Sequence, residues 1–155
     1  MNFSVLLSVY RKENPEYLKQ SIDSIFTQTV PPTEIVMVED GPLTDELYKV
    51  LDGYKKDHRW KAVPLPENVG LGKALNAGLE ACSYELVARM DTDDIAKPER
   101  FEKQLAAFAA DPELSLCGTQ AAEFRDTPEN VTAHKKVPLT DEEIRQYARK
   151  RNPFN

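Results

Sequence analysis

The sequence predicts an α/β fold with a mostly parallel sheet flanked by helices. Two nearly continuous apolar runs of strand length, Phe3 to Val9 and Ile35 to Val38, are typical of strands that are covered on both faces. Between them, Leu18, Ile22 and Ile25 recur at helical spacing. Alternation of this kind favours a doubly wound sheet.

Capping residues define the first two helices. Asn14 can cap the first helix, Pro15 fits its first position, and the prolines at 31–32 end it. Thr44 can cap the second helix. The apolar residues of that helix are Leu47, Val50, Leu51 and Tyr54. These patterns complete a β-α-β-α start.

The later elements follow the same alternation. We predict a third strand over 60–65, a helix over 71–81, a fourth strand over 86–90, a helix over 98–110 and a fifth strand over 114–119. From 121 to 138 the pattern weakens. Thr140 and Glu143 have the spacing of a capping box for a last helix. We therefore expect one globular domain.

Composition limits the classes of partner and compartment. With a net charge of −6, the sequence lacks the electrostatic footprint of a general nucleic-acid binder. The basic cluster at 145–151 is most simply a solvated helix face or a helix-end charge preference, and contact with a membrane or a partner is the alternative. Cys82 and Cys117 are far apart, so we expect two buried thiols in a reducing, cytoplasmic compartment. The isolated His58 and His134 provide neither a zinc site nor a histidine-based triad.

Three carboxylates stand within four residues at Asp91, Asp93 and Asp94, directly after the predicted fourth strand. Open α/β sheets bind their ligands at the carboxyl ends of the strands. Carboxylate oxygens suit hard cations, and a magnesium-like ion takes one or two of them beside water and phosphate oxygens. Two interpretations stay open: a metal and nucleotide site, or solvated acids with Asp94 capping the next helix.

The ends of the first two strands also carry polar residues. Ser8, Val9 and Tyr10 lie at the end of the first strand, and Asp40 lies at the end of the second. An aspartate there can accept hydrogen bonds from a base or a ribose hydroxyl, although Asp40 before Gly41 can equally be an ordinary turn acid. Parallel strands would bring these residues and the acids at 91–94 to one edge.

The segment 68–73 contains two glycines and a lysine but lacks the spacing and terminal Ser/Thr of a Walker phosphate loop. We therefore reject that interpretation. Gly70 and Gly72 permit a tight entry into the next helix, whose first amide groups and Lys73 can face phosphate or base. A plain glycine turn with a solvated lysine is the alternative.

Six segments of the sequence resemble segments of a known family and occur in the same order. They are 4–10, 21–29, 34–41, 68–78, 89–94 and 98–104, and they cover the chain from about residue 3 to 120. The set resembles a family 2 glycosyltransferase with a GT-A fold. The resemblance implies a Rossmann-like domain that binds a nucleotide sugar.

The resemblance also implies roles for individual residues. By the resemblance, Tyr10, Asp40 and Asn68 would line the nucleotide pocket. Together with the strand ends and the helix entry, this gives the candidate nucleotide-binding residues as Ser8, Val9, Tyr10, Asp40, Asn68, Lys73, Asp91 and Thr92. Asp91 would reach the ribose or base, and Asp93 would ligate a Mn²⁺ or Mg²⁺ cofactor. The family often has an arginine where this chain has Leu75, so one cationic contact is missing or moved, and Lys73 is the candidate substitute.

The activity implied by the resemblance is transfer of a sugar from a nucleoside diphosphate sugar, commonly UDP-linked, to an acceptor hydroxyl with inversion. The implied pathway class is polysaccharide or other glycan biosynthesis. The expected acceptor is a glycan or a lipid-linked sugar, and no nucleic acid is expected as a partner. A lipid-linked acceptor would allow peripheral association with the inner face of the membrane.

In family members the catalytic base lies beyond the donor half. We therefore interpret 1–155 as a single donor-binding domain, truncated at its carboxyl end, whose catalytic base is unknown. Glu123 and Asp126 are interpreted as loop charges.

Two other functions stay open. A nucleotidyltransferase would have a glycine-rich basic loop after the first strand, but the residues at 8–13 include no glycine. A phosphoacceptor signalling domain is the non-enzymatic alternative, with acids around a metal at the strand ends. It would have an acidic pair after the first strand, and the sequence has none there.

Overall fold

The computed structural model describes residues 1–154 and divides into two compact units, Met1–Leu105 and Ala106–Asn155. The helices and strands are β1 (Ser4–Val9), α1 (Pro15–Phe26), β2 (Glu34–Glu39), α2 (Asp45–Asp52), β3 (Trp60–Pro64), α3 (Leu71–Ala81), β4 (Val87–Arg89), α4 (Arg100–Ala110), β5 (Ala121–Phe124), β6 (Val131–Lys135) and α5 (Asp141–Ala148). The boundary between the units falls inside α4. The assignment of 1–155 to one donor-binding domain stays a prediction.

The first unit is built on a parallel sheet of four strands in the order β3-β2-β1-β4. Val9 of β1 is level with Glu39 of β2, and Leu6 of β1 is level with Arg89 of β4. This topology confirms the predicted α/β class. The residues that follow β1, β2 and β4 consequently share one edge of the sheet, which we call the carboxyl edge.

Helices cover both faces of this sheet. Val5, Leu7 and Val9 of β1 belong to a buried cluster that includes apolar residues of α1, α2 and α4. Leu6 points the other way and joins a smaller buried cluster with Ala74 of α3. The nearly continuous apolar run of β1 is explained by this two-sided burial.

Gly78 lies where α3 packs on the sheet. A Cβ placed on Gly78 would lie 2.4 Å from Leu6 Cδ1 and 2.6 Å from Val38 Cγ2. We expect Gly78→Ala to lower the free energy of unfolding by about 1–3 kcal/mol, because the added methyl must displace core side chains. Urea unfolding followed by circular dichroism measures this cost.

The matched control for Gly78→Ala is Gly72→Ala in the same helix. A Cβ placed on Gly72 meets no atom within 4 Å. We expect this control to be neutral or stabilising by up to about 1 kcal/mol, because alanine is the better helix former. Equal destabilisation by both changes would contradict the packing explanation.

The predicted fifth strand at 114–119 is wrong. That stretch forms no strand, and Leu116 is 60% exposed. Instead, β5 and β6 form a separate antiparallel pair in the region where the sequence pattern is weak. Every residue of β6 is exposed. Val131 and Ala133 alternate with polar residues in β6, but without a buried face this alternation is too short and too weakly apolar to indicate a strand.

Several local predictions are confirmed, and others need correction. Asn14 and Thr44 cap α1 and α2, and α5 begins with the predicted capping box. Cys82 and Cys117 are partly exposed rather than buried. Glu123 lies in β5 rather than in a loop. None of the helices in residues 1–154 is long and apolar enough to cross a membrane.

Candidate functional site

Asp40 directly follows β2 and is only 4% exposed. Its carboxylate accepts hydrogen bonds from Val69 N at 2.7 Å and Gly70 N at 3.2 Å. Asn68 Nδ2 donates to the same carboxylate at 3.0 Å. The backbone N–H of Asp40 donates to Val9 O at 2.8 Å. Asp40 therefore fastens the 68–70 segment to the ends of β1 and β2.

The turn after Asp40 requires glycine. Gly41 has φ +81°, and a Cβ placed on it would lie 2.5 Å from Asn68 N. Both the backbone conformation and the close approach exclude a larger residue. Asp40 does precede a turn, as one of the two interpretations predicted. Its carboxylate also accepts a hydrogen bond from a segment 28 residues away.

The amino end of α3 lies beside this turn. Gly70 has φ +85° and precedes α3, and within residues 1–154 no side chain caps the first amide groups of the helix. Lys73 lies in the first turn and is exposed. Uncapped amide groups and a nearby ammonium group suit an anionic ligand. Leu75 is half-buried in the smaller core cluster and contributes no charge.

The acidic loop at 91–94 follows β4. Both carboxylate oxygens of Asp91 accept hydrogen bonds from the Arg89 guanidinium, one from Nη1 at 2.8 Å and the other from Nη2. Asp93 and Asp94 are exposed. The hypothesis that Asp94 caps the following helix is wrong, because α4 begins only at Arg100.

The carboxylates of this loop lie close enough to influence one another. Burial raises the pKa of Glu13, and the negative charges of Asp93 and Asp91 raise it further. Partial burial likewise raises the pKa of Asp94, with Asp91 and Asp93 adding to the rise. Glu13, which precedes α1, therefore forms an acidic cluster with Asp91, Asp93 and Asp94. No sequence pattern indicated that Glu13 belongs to it. The repulsion within the cluster would favour a bound cation.

Buried polar residues of α1 and its end hold the acidic loop in place. Ser21, Ser24 and Gln28 are all less than 10% exposed. Their partners are Asp91 O at 3.0 Å, Ala96 N at 3.0 Å and Lys97 O at 2.9 Å, respectively. No sequence pattern pointed to these contacts. The available signal was the presence of polar residues among the apolar positions of the first helix.

The remaining predicted residues also lie at the carboxyl edge, but their side chains differ in exposure to solvent. Thr92 is buried, and its Oγ1 donates to Ser8 O at 3.5 Å. The Val9 side chain is in the core, so only its backbone can contact a ligand. Tyr10 is 39% exposed. The candidate site therefore combines one partly exposed aromatic ring with segments that hydrogen bonds hold together.

The donor set fits a divalent cation that arrives together with a phosphate ligand. Within residues 1–154, no three His, Cys, Asp or Glu side chains form a group that could hold a metal ion alone. Asp93 nevertheless offers an exposed carboxylate. Mg²⁺ in phosphate sites commonly takes one or two protein carboxylates and completes its shell with water and phosphate oxygens.

Solved structures define the class of fold. TarS 1-349 of S. aureus in complex with UDP-GlcNAc superposes with a TM-score of 0.63 and 29% identity, covering 71% of this chain and 32% of the TarS 1-349 chain. The mannosyltransferase PcManGT of Pyrobaculum calidifontis, in complex with GDP-Man and Mn²⁺, gives a TM-score of 0.61 at 21% identity, covering 80% of this chain and 36% of its own. The expected GT-A fold is confirmed.

Sequence relatives define the family. The profile of Glycosyl transferase family 2 matches residues 4–155. The amylovoran biosynthesis glycosyltransferase AmsE of Erwinia amylovora is 48% identical over 153 residues, which cover 99% of this chain and 57% of AmsE. The UDP-Gal:alpha-D-GlcNAc-diphosphoundecaprenol beta-1,3-galactosyltransferase of Escherichia coli is 37% identical over 99% of this chain and 55% of its own length. The chain belongs to glycosyl transferase family 2, and it spans little more than half the length of these relatives.

Proposed function

We propose that the chain binds a UDP-linked sugar at the carboxyl edge and that the protein transfers this sugar to an acceptor hydroxyl with inversion. The pathway class would be polysaccharide or other glycan biosynthesis. The main observation is that Asp40 and Asp93 follow β2 and β4, the two strands that flank β1. The similarity to TarS, solved with UDP-GlcNAc, and to an E. coli relative named for UDP-Gal supports the choice of base.

In this proposal the nucleotide lies against the 68–70 segment. Asp40 acts mainly by holding that segment rigid, because its carboxylate already accepts several hydrogen bonds. The Tyr10 ring is exposed at the end of β1 and can stack on the uracil base. Lys73 and the first amide groups of α3 would face the diphosphate. Asp91, although paired with Arg89, retains lone pairs for a ribose hydroxyl.

Asp93 would hold Mn²⁺ or Mg²⁺ together with the phosphate oxygens of the donor. When bound, such an ion offsets the charge that develops on the leaving diphosphate. The position of Asp93 would not depend on the ion, because Ser21 and Ser24 hold the loop that carries Asp93 through hydrogen bonds to Asp91 O and from Ala96 N. The carboxylate base that inversion requires stays unassigned.

We further propose a glycan or lipid-linked acceptor. The E. coli relative carries in its name a sugar linked to diphosphoundecaprenol, which is a lipid-linked acceptor. Such an acceptor would bring the protein into peripheral contact with a membrane surface.

Calorimetric titration of UDP, GDP and a panel of UDP-sugars, with Mn²⁺ or with chelator, tests the donor assignment. We expect UDP and at least one UDP-sugar to bind more tightly than GDP, and more tightly with Mn²⁺. Tighter binding of GDP would overturn the choice of base, and no UDP binding under either condition would overturn the proposal. The anomeric configuration of the product, measured by NMR, tests inversion.

A further inference from the structure

The second unit contains a cavity of about 340 Å³. The residues that line it come from β6, from α5 and from the segments that follow them. The cationic members are Lys135, Lys136 and Arg151, and the neutral members are Val137, Tyr147, Asn152 and Phe154. This cavity is separate in sequence from the residues of the candidate donor site.

The cavity carries positive charge that the described chain does not neutralise. Among the residues that line it within 1–154, three are cationic and none is acidic. In that range neither Lys135, Lys136 nor Arg151 takes part in an ion pair. The acids of α5 lie at its other end, in the first turn. There Asp141 accepts from Arg145 Nε at 2.7 Å.

The helix dipole explains only part of this charge. Cations are favoured at the carboxyl end of a helix, and Arg151 follows α5. Lys135 ends β6 and Lys136 comes directly after it, so the dipole of α5 gives no reason for them. The Tyr147 carbonyl near the helix end already accepts from Lys150 N at 2.9 Å and Arg151 N at 3.0 Å. That carbonyl thus has backbone partners, and the side chains of Lys135, Lys136 and Arg151 are exposed.

We propose that this cavity binds the diphosphate group of a diphosphate ester. A guanidinium and two ammonium groups match the charge of a diphosphate, and arginine binds phosphate oxygens in a forked geometry. Val137 and the half-buried Phe154 provide an apolar wall for the organic part. A volume of 340 Å³ is at the lower end of the range for ligand pockets, about 300–1,000 Å³. The ester could be a nucleotide or a diphosphate-linked lipid.

The test compares two double variants with the same change in net charge. The first is Lys136→Ala with Arg151→Ala, which removes two lining cations, and the control is Arg149→Ala with Lys150→Ala, which removes two cations outside the lining. Inorganic pyrophosphate is titrated into each in the presence of chelator. We expect the first pair to weaken binding at least about tenfold, because hydrogen bonds to charged groups are lost, and the control to change it less than about threefold.

Two further arms identify the source of the diphosphate. In the presence of chelator, a larger loss of affinity for farnesyl diphosphate than for UDP in the first double variant would assign the cavity to lipid diphosphates, and a larger loss for UDP would assign it to nucleotides. Manganese-dependent UDP binding, measured on the first double variant, reports separately on the donor site. If neither the unaltered protein nor the variants show manganese-dependent UDP binding, but the unaltered protein still binds pyrophosphate, only the proposed donor function is refuted.

Equal weakening by both double variants, or no pyrophosphate binding by the unaltered protein, would overturn the proposal. If circular dichroism shows that the first double variant is unfolded, lysine acetylation of the unaltered protein provides the decisive measurement. Pyrophosphate should then protect Lys135 and Lys136 more than Lys150. Equal modification of all three with and without pyrophosphate would overturn the proposal.

Discussion

Asp93→Asn is expected to remove most of the gain in UDP affinity that Mn²⁺ provides. The exposed Asp93 is the predicted metal ligand, and an amide replaces its negative charge with a neutral group. The loss should be at least about tenfold, because even indirect partners of a metal site commonly cost that much. Calorimetry with Mn²⁺ and with chelator measures the difference, and binding in chelator should change little.

Asp94→Asn is the matched control for this experiment. It removes the same charge one residue further along the same exposed loop. We expect a smaller loss of manganese-dependent affinity, because Asp94 is not the proposed ligand. Equal losses in both variants would indicate a general effect of charge. Equal UDP affinity of the unaltered protein with and without Mn²⁺ would refute the metal role.

Asp40→Ala is expected to lower the free energy of unfolding by about 2–3 kcal/mol. The change removes the acceptor for Val69 N and Gly70 N, and each buried donor without a partner costs about 1–3 kcal/mol. Asn68 Nδ2 loses one of two acceptors, because it also donates to the Asp40 carbonyl at 3.2 Å. The cost stays below the sum of these penalties because Val69 and Gly70 are only half-buried and Asn68 is exposed, so their freed donors can reach water. Urea unfolding measures it, and Asp45→Ala on the exposed start of α2 should cost about 0.3–1 kcal/mol.

The same substitution separates the role of Asp40 from that of Asp93. Asp40→Ala should weaken UDP binding with and without Mn²⁺, because it loosens the 68–70 segment rather than removing a metal ligand. Full retention of both stability and UDP affinity would contradict the structural role. A loss confined to the manganese-containing titration would instead place Asp40 beside the metal.

The predicted strand ends were sufficient to indicate where on the sheet the candidate site lies. Asp40 and the acids at 91–94 follow strands that are parallel, so a correct fold class was enough to bring them to one edge. The pairing of Asp91 with Arg89 was not predicted, although only one residue separates them. Alternation along a strand places such residues on the same face, but whether they meet depends on side-chain conformation.

Contacts between distant segments were beyond the sequence patterns. Ser21 Oγ meets Asp91 O across 70 positions, and Asp40 meets Val69 across 29. A polar residue on a helix shows neither its partner nor whether it is buried. The roles of the individual site residues in nucleotide binding stay predictions.

The sequence by itself determined the parallel α/β class, the capped starts of α1, α2 and α5, and the resemblance to family 2, because apolar periodicity, capping and ordered motifs are local properties of the chain. Only the tertiary structure decided that 114–119 is not a strand and that β5 and β6 pair with each other. It also decided that cations from β6 and from the end of α5 share a cavity. These features depend on which segments meet in space, and the short exposed strand β6 carries too little apolar periodicity for its partner to be inferred.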